Sequence, residues 1–213
     1  YTKDIFFNGY RELKSVWKSL KKLNFLKRYL GAFFVFSMAL QTVMLVAAYF
    51  GEQEISWSAE EKTTGLIISI LLIQIIAIFG ALLSSKLANR WGNIKTLILL
   101  NAIWVSLCVS AYFIYEPIEF YIVAGFVGLC MGGIQSVARS TYSQLIPKTI
   151  DTTSYFSFYD VAEKVGIVIG MLMYATVDQI TGSMRNAILF FVLFFLTGAV
   201  MLIRLERTNK KAL

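Results

Sequence analysis

The stretch that decides the fold runs from Gly125 to Lys164 and reads GFVGLCMGGIQSVARSTYSQLIPKTIDTTSYFSFYDVAEK. It begins as an apolar helix, stops at Pro147, and then enters a second apolar run that has ionisable residues near its start. Small residues at helical spacing let neighbouring helix backbones approach closely in lipid. We therefore expect four glycines of the first run to be helix-packing positions: Gly125, Gly128, Gly132 and Gly133.

Ionisable residues flank the loop in this stretch, with Arg139 before it and Asp160, Glu163 and Lys164 after it. Such residues at the edge of a membrane span are costly in lipid and usually face protein or water. Two glycine-rich, polar-edged helices joined by a polar loop suggest a moving transport element. Ordinary helix packing beside a charged loop is the alternative that the residues leave open.

The composition indicates a membrane protein. The chain is 57% hydrophobic and 15% charged, whereas soluble domains average about 45–50% apolar and about 25% charged residues. We predict an all-α, polytopic membrane protein with six transmembrane helices, because six apolar runs come close to the ~20 residues that cross a bilayer. These runs are Tyr29–Phe50, Thr63–Leu83, Thr96–Tyr115, Phe120–Tyr142, Tyr159–Val177 and Ala187–Ile203.

The distribution of charge predicts the topology. Cations cluster before the first run, between the second and third, and after the sixth, while the loops on the opposite side carry mostly carboxylates. By the positive-inside rule both termini are cytoplasmic. The net charge of +7 is therefore a topology signal, and we expect no nucleic-acid partner. The expected domains are a basic amphipathic segment at 1–28 that contacts membrane lipids, a six-helix domain at 29–203, and a basic tail at 204–213.

Several residue types needed for other chemistry are missing. Histidine is absent, and Cys108 and Cys130 fall inside apolar runs, so we expect no metal site and no cofactor. The chain has no HExxH or GxSxG motif and no phosphate-cradling glycine loop. We do not expect an enzyme, although a membrane-embedded enzyme and a non-transporting scaffold or sensor are the alternatives to transport. Because the chain begins at Tyr1 without methionine, we expect it to be a piece of a longer protein.

The segment LANRWGNIK, residues 87–95, is a basic turn between the second and third runs. It resembles the loop motif of the major facilitator superfamily, L-A-(D/N)-R-x-G-x-x-(K/R), which lies between the second and third helices of each six-helix half. Asn89, Arg90, Gly92 and Lys95 match, with asparagine in place of the more usual aspartate. The glycine can take the positive φ that such a turn requires.

The stretches GGIQSVARSTYSQLIP and SYFSFYDVAEK are similar to the vacuole-effluxer-like branch of that superfamily. This branch includes the autophagy-related vacuolar amino-acid effluxer and bacterial relatives. The matching positions are Gln135, Arg139, Ser140, Leu145, Ile146, Pro147, Phe156, Tyr159 and Lys164.

The resemblance implies the C-terminal half of a twelve-helix secondary transporter, built from inverted three-helix repeats and partnered by an N-terminal six-helix half. It implies a cavity among the first, second, fourth and fifth spans, with the third and sixth outside. The implied cargo is a small polar or zwitterionic solute, with amino acids as the family-level inference. The membrane is either a bacterial inner membrane or a vacuolar one, and the resemblance and the short loops favour the bacterial one. Because no phosphate-cradling loop is present, we expect the energy source to be an ion gradient or the gradient of the solute itself.

Polar residues within the apolar runs are candidates for the cavity. A midplane amide either bonds a neighbouring helix or lines a cavity, and we assign four positions to the cavity: Gln41, Gln74, Gln135 and Arg139. Arg139 is either an anion-binding group or part of a cytoplasmic charge latch, and its place near the end of a span favours the latch.

The remaining ionisable residues complete the predicted latch. Asp160 and Lys164 lie at i,i+4 and can pair locally. This pairing leaves Glu163 free to meet Arg90 or Arg139. A desolvated carboxylate at this place could instead bind a proton. The positions assigned to gating are Asn89, Arg90, Gly92, Lys95, Asp160, Glu163 and Lys164.

Overall fold

A computed structural model describes residues 14–20, 22–147 and 152–210, without the side chains of residues 209 and 210. The described residues form helices and no strands. The helices are α1 (residues 14–20), α2 (Asn24–Glu54), α3 (Lys62–Trp91), α4 (Asn93–Ser110), α5 (Pro117–Leu145), α6 (Thr152–Thr181), α7 (Met184–Phe190) and α8 (Val192–Lys210). Parts of the predicted basic segment and tail, residues 1–13, 21 and 211–213, lie outside the described residues.

Five helical segments of the described chain are long and apolar enough to cross a membrane: α2, α3, α4, α5, and Met184–Thr208, which joins α7 to α8. The fifth predicted run lies in α6, which is not among them although it has 30 residues. At 1.5 Å per residue that length exceeds a ~30 Å hydrocarbon core, but Asp160, Glu163 and Lys164 lower its hydropathy. The chain is an all-α, polytopic membrane protein.

The third predicted span extends five residues beyond the C-terminal end of the observed helix α4. The run Thr96–Tyr115 stays apolar to its last residue, yet α4 ends at Ser110 and residues 111–113 form a turn. The carbonyl oxygens of Ala111 and Tyr112 accept hydrogen bonds from Arg185 instead of continuing the helix. Hydropathy alone does not carry this information.

Glycines set the distance between α3 and α5. A Cβ atom added at Gly132 would meet the backbone oxygen of Ala77, and one added at Gly80 would meet that of Leu129. At Gly125 an added Cβ would stand 3.4 Å from the side chain of Ile76, which is ordinary contact. The glycines of this face are therefore not equivalent.

Two turns that contain a glycine with positive φ follow the two 30-residue helices, α3 and α6. Gly92 has φ of 92° and Gly182 has φ of 62°, values that favour glycine. Each glycine N–H donates to a carbonyl four residues earlier, on Ala88 and Asp178 respectively. The positive φ expected at Gly92 is thus observed. The pairing of the two turns is what two three-helix repeats would produce.

Two packed groups of helices, α3 with α5 and α2 with α6 and α8, are joined by α4. α2 packs against both α6 and α8, α3 packs mainly on α5, and α4 packs between α5 and α8. Asn101 of α4 is fully buried; its amide donates to the Leu97 carbonyl and its oxygen lies near Gly198 of α8. The polar residue of the third span therefore faces α8, and not the cavity described next.

Candidate functional site

A cavity of about 850 Å³ lies among α2, α3, α5 and α6. Gln41 enters it from α2, Gln74 from α3, and Gln135 and Arg139 from α5. In the described part of the chain, α4, α7 and α8 add no lining residue. The structure thus brings the four cavity candidates to one place, with the expected four spans around it.

The carboxylate of Glu163 also lines this cavity. It accepts a hydrogen bond of 2.5 Å from the side-chain amide of Gln41, so a contact joins α6 to α2. The prediction that Glu163 meets Arg90 or Arg139 is wrong. The physical reason is that α6 packs against α2, which turns this face of α6 towards the Gln41 amide.

Arg139 forms an ion pair with Asp160, with 2.7 Å between Nη2 and Oδ1. Both side chains are more than half exposed. The prediction that Asp160 pairs with Lys164 is wrong, because an i,i+4 pair contributes only about 0.2–0.5 kcal/mol and the arginine of the facing helix reaches the carboxylate. The guanidinium carbon of Arg139 lies 5.7 Å from the centre of the Tyr159 ring.

The other residues assigned to gating stand apart from this pair. Within the residues described, neither Arg90 nor Lys164 forms an ion pair. Asn89 is exposed, and Lys95 lies 3.8 Å from Glu206 of α8. The α3–α4 turn is therefore tied to α8 and not to the carboxylates of α6.

Aromatic side chains form one wall of the cavity. Phe33 stacks on Tyr159 with 4.1 Å between ring centres, and Tyr142 packs against the same ring at 4.8 Å. The hydroxyl of Tyr142 donates to the carbonyl of Tyr155 and fixes the ring. Phe33 is a lining residue that could not be predicted from the sequence, because nothing in the pattern marks it among 17 phenylalanines.

A second ionic site, also missed, lies at the opposite end of the bundle. Arg185 of α7 is 7% exposed, and its Nε donates to the carboxylate of Glu54 at 2.7 Å. Its other donors reach four backbone oxygens at the ends of α2 and α4, those of Glu54, Ala111, Tyr112 and Ile114. Its guanidinium lies 4.0 Å from the Tyr115 ring centre. A single cation thereby caps the C-terminal ends of two helices, where positive charge is favourable.

The model of the family described as "Vacuole effluxer Atg22 like" matches residues 1–212. The chain belongs to the Atg22-like vacuole effluxer family. Relatives of this family span kingdoms: an uncharacterised MFS-type transporter, YxiO, of Bacillus subtilis (strain 168) is 27% identical over 93% of this chain and 45% of its own length.

Fungal proteins named autophagy-related protein 22 are similarly related to this Atg22-like chain. The protein of Yarrowia lipolytica is 26% identical over 96% of the chain and 36% of its own length, and that of Kluyveromyces lactis is 28% identical over 84% and 38%. The chain therefore spans less than half the length of these relatives. No solved structure is significantly similar to it.

Proposed function

We propose that this chain is the C-terminal half of a secondary transporter that moves a small zwitterionic solute, with amino acids as the favoured class, by alternating access. The observation that carries the proposal is the cavity itself. It gathers three amides, a guanidinium and a carboxylate from four helices. Ionisable groups within membrane segments mark solute and ion pathways. Transport also agrees with the names of the family and of the Bacillus subtilis relative.

The charges in the cavity favour a zwitterion. Glu163 offers a carboxylate to an ammonium group, and Arg139 offers a guanidinium to a carboxylate, a pairing that arginine makes in a planar, two-pronged way. Gln41, Gln74 and Gln135 supply donors and acceptors between them. An incoming ammonium group would replace the amide of Gln41 as the partner of Glu163.

The Arg139–Asp160 pair serves as the latch in this proposal, and it is closed while no solute is bound, because a solute carboxylate would replace Asp160 as the partner of Arg139. It joins α5 to α6 beside the cavity and is exposed, so little free energy separates its closed and open forms. Both helices belong to this half, so breaking the pair would let α5 and α6 move apart beside the cavity as the two halves rock about the midplane site. The remaining half is an N-terminal six-helix unit of the same protein. The proposed membrane is a bacterial inner membrane, with both termini cytoplasmic.

A thermal-shift screen of the complete transporter in detergent tests solute binding. Because a ligand of the folded state raises Tm by mass action, a bound amino acid should raise it, and Gln135→Ala should remove that rise. Gln53→Ala is the matched control, since Gln53 is exposed at the end of α2, outside the cavity. Failure of every amino acid to raise Tm, together with absence of flux in proteoliposomes, would contradict the proposal and favour a non-transporting scaffold or sensor.

A solute derivative tests the charge of Glu163. An N-acetyl amino acid lacks the ammonium group that Glu163 would bind. Glu163→Gln should bind the N-acetyl form as well as it binds the parent solute, whereas the wild type should reject the N-acetyl form. Equal rejection by both proteins would remove Glu163 from the binding site and leave it a helix-joining group.

A further inference from the structure

Two more cavities adjoin each other on a different side of α2. An apolar groove of about 500 Å³ lies among α1, α2 and α6. A basic cleft of about 650 Å³ lies between α2 and α8. Lys27 and Gly31 line both, so the groove and the cleft meet at one place near the start of α2.

The apolar groove is built from two facing helix surfaces. Leu30 and Phe34 come from α2, and a strip of α6 at helical spacing faces them, made of Phe158, Val161, Ala162 and Val165. The side chains of Val161 and Val165 are more than 40% exposed. Trp17 of α1 covers one end, 6.0 Å from the Phe158 ring. The groove thus has apolar side chains on both facing helices and a tryptophan among its lining residues.

The basic cleft carries three cations without a countercharge. Lys27 and Arg28 come from the beginning of α2 and Arg204 comes from the facing end of α8. In the described part of the chain none of the three forms an ion pair. The first turn of α2 has no acidic residue. An anion placed here would therefore meet concentrated positive charge.

We propose that the groove and the cleft together bind one anionic phospholipid. The phosphate lies among Lys27, Arg28 and Arg204, and an acyl chain runs along the apolar groove. Gly31 lets the molecule pass between the two, because it has no side chain to form a ridge. Trp17 takes the interfacial position that tryptophan prefers in membranes. This site is separate from the solute cavity and does not depend on transport.

The adjoining groove distinguishes a lipid from a free anion. Exposed cations on a surface bind a lone phosphate weakly in a screened solvent, and a lone phosphate would leave the apolar strip of α6 uncovered. A phospholipid can contact both the basic cleft and the apolar groove. Its binding free energy then has two contributions, attraction between the basic residues and the anionic headgroup and burial of apolar area. The proposal therefore commits to a phospholipid.

The test measures quenching of Trp17 in the complete protein, placed in phosphatidylcholine nanodiscs. In one sample a tenth of the lipid is replaced by phosphatidylglycerol, and in the other by phosphatidylcholine. In both samples the replacing lipid carries bromine on its acyl chains. The signal of Trp17 is the difference between the wild type and Trp17→Phe. We expect brominated phosphatidylglycerol to quench this signal more strongly than brominated phosphatidylcholine at equal mole fraction. Equal quenching by the two lipids overturns the proposal.

Substitutions of the three cations locate the headgroup. Each replacement of Lys27, Arg28 or Arg204 by Gln should weaken the preference for phosphatidylglycerol over phosphatidylcholine roughly fivefold. The variant with all three replacements should therefore have no preference. The matched control replaces Lys14, Lys18 and Arg207, which are exposed cations outside the site, and it should keep the preference. If the variant without Lys27, Arg28 and Arg204 keeps the preference for phosphatidylglycerol, the proposal is overturned.

Gly31→Val tests the site without altering charge. The new side chain stands between the groove and the cleft, and the nearest atom to its Cβ is the flexible end of Met201 at 3.3 Å. We expect the lipid preference to fall while Tm stays close to that of the wild type. Glycerol phosphate has the phosphate group and no acyl chains. If it competes with phosphatidylglycerol and abolishes the lipid preference, the site binds phosphate alone and the lipid assignment is overturned.

Discussion

Two arginine–carboxylate pairs have the same nitrogen–oxygen distance, 2.7 Å, and very different surroundings. The Arg139–Asp160 side chains are 58% and 52% exposed, whereas those of Arg185 and Glu54 are 8% and 26% exposed. Arg139 joins two helices, α5 and α6. Arg185 joins the ends of α2 and α4 to the start of α7 and fills its donors with backbone oxygens.

The comparison teaches that distance alone does not measure the strength of an ion pair. An exposed pair contributes about 0–1 kcal/mol, whereas removal of one partner from a buried pair costs about 3–5 kcal/mol. One end of the bundle is therefore held together firmly, while the end that carries Arg139 has a contact that breaks easily. A latch needs the second kind of contact, and a fixed pivot needs the first.

The largest expected effect is that of Arg185→Leu. The change leaves Glu54 and several carbonyl oxygens without a donor, and we expect the free energy of unfolding to fall by about 3–5 kcal/mol. Arg185→Lys should recover only part of this loss, because an ammonium cannot reproduce the planar arrangement of donors. Denaturation in detergent measures both, with Arg207→Leu on exposed α8 surface as the control. A loss below 1 kcal/mol would contradict the assignment of a fixed end.

The next effect concerns the packing of α5, the helix that carries Arg139. Gly132→Ala drives a methyl group into the Ala77 carbonyl, and we expect a loss of about 1–3 kcal/mol, as in other overpacked cores. Gly125→Ala is the matched control and should be neutral or stabilising, because its methyl group has room and alanine favours helix. Equal losses would show that close approach to α3 is not what anchors α5.

A smaller effect is expected at the exposed pair. In a double-mutant cycle with Arg139→Gln and Asp160→Asn, the coupling energy should be below about 1 kcal/mol. Stability should therefore change little, while the rate of solute exchange in proteoliposomes changes more. A coupling energy near that of the Arg185–Glu54 pair would mean that the proposed latch is a permanent joint.

The smallest effect is the response to salt. Raising the ionic strength from 0.1 to 1 M shortens the screening length from about 10 Å to about 3 Å. The coupling of Arg139 to Asp160 should then vanish, while most of that of Arg185 to Glu54 should persist, since buried and partly buried pairs are screened much less than exposed ones. Repeating the two cycles at both salt concentrations measures the difference. Parallel weakening of both couplings would remove the distinction between the two ends.

The prediction from sequence succeeded where a local pattern carries the information. Apolar runs of sufficient length predicted the helices, and the turn before Gly92 predicted its positive φ. The amides Gln41, Gln74 and Gln135 stood out because polar groups are rare within apolar runs. Their meeting in one cavity followed from the resemblance and agrees with the geometry, while their role in binding stays a prediction.

The predictions that were wrong concern which side chains form ion pairs and hydrogen bonds with each other. Helical spacing predicts a partner for Asp160 four residues away, whereas its partner in the structure is 21 residues away. The carboxylate of Glu163 meets an amide 122 residues distant, and Arg185 meets Glu54 across 131 residues. Spacing along one helix shows only which side chains share a face. It does not show which other helix lies opposite that face.

By itself, the sequence determined that this chain is a helical membrane protein of the Atg22-like family, because hydropathy, charge distribution and motif spacing are properties of the chain. Only the tertiary structure decided that Arg185 closes two helix ends, that Glu163 faces Gln41, and that a basic cleft meets an apolar groove at Gly31. These contacts depend on how helices pack. Packing is set by the shapes of whole helix surfaces, which no short segment contains.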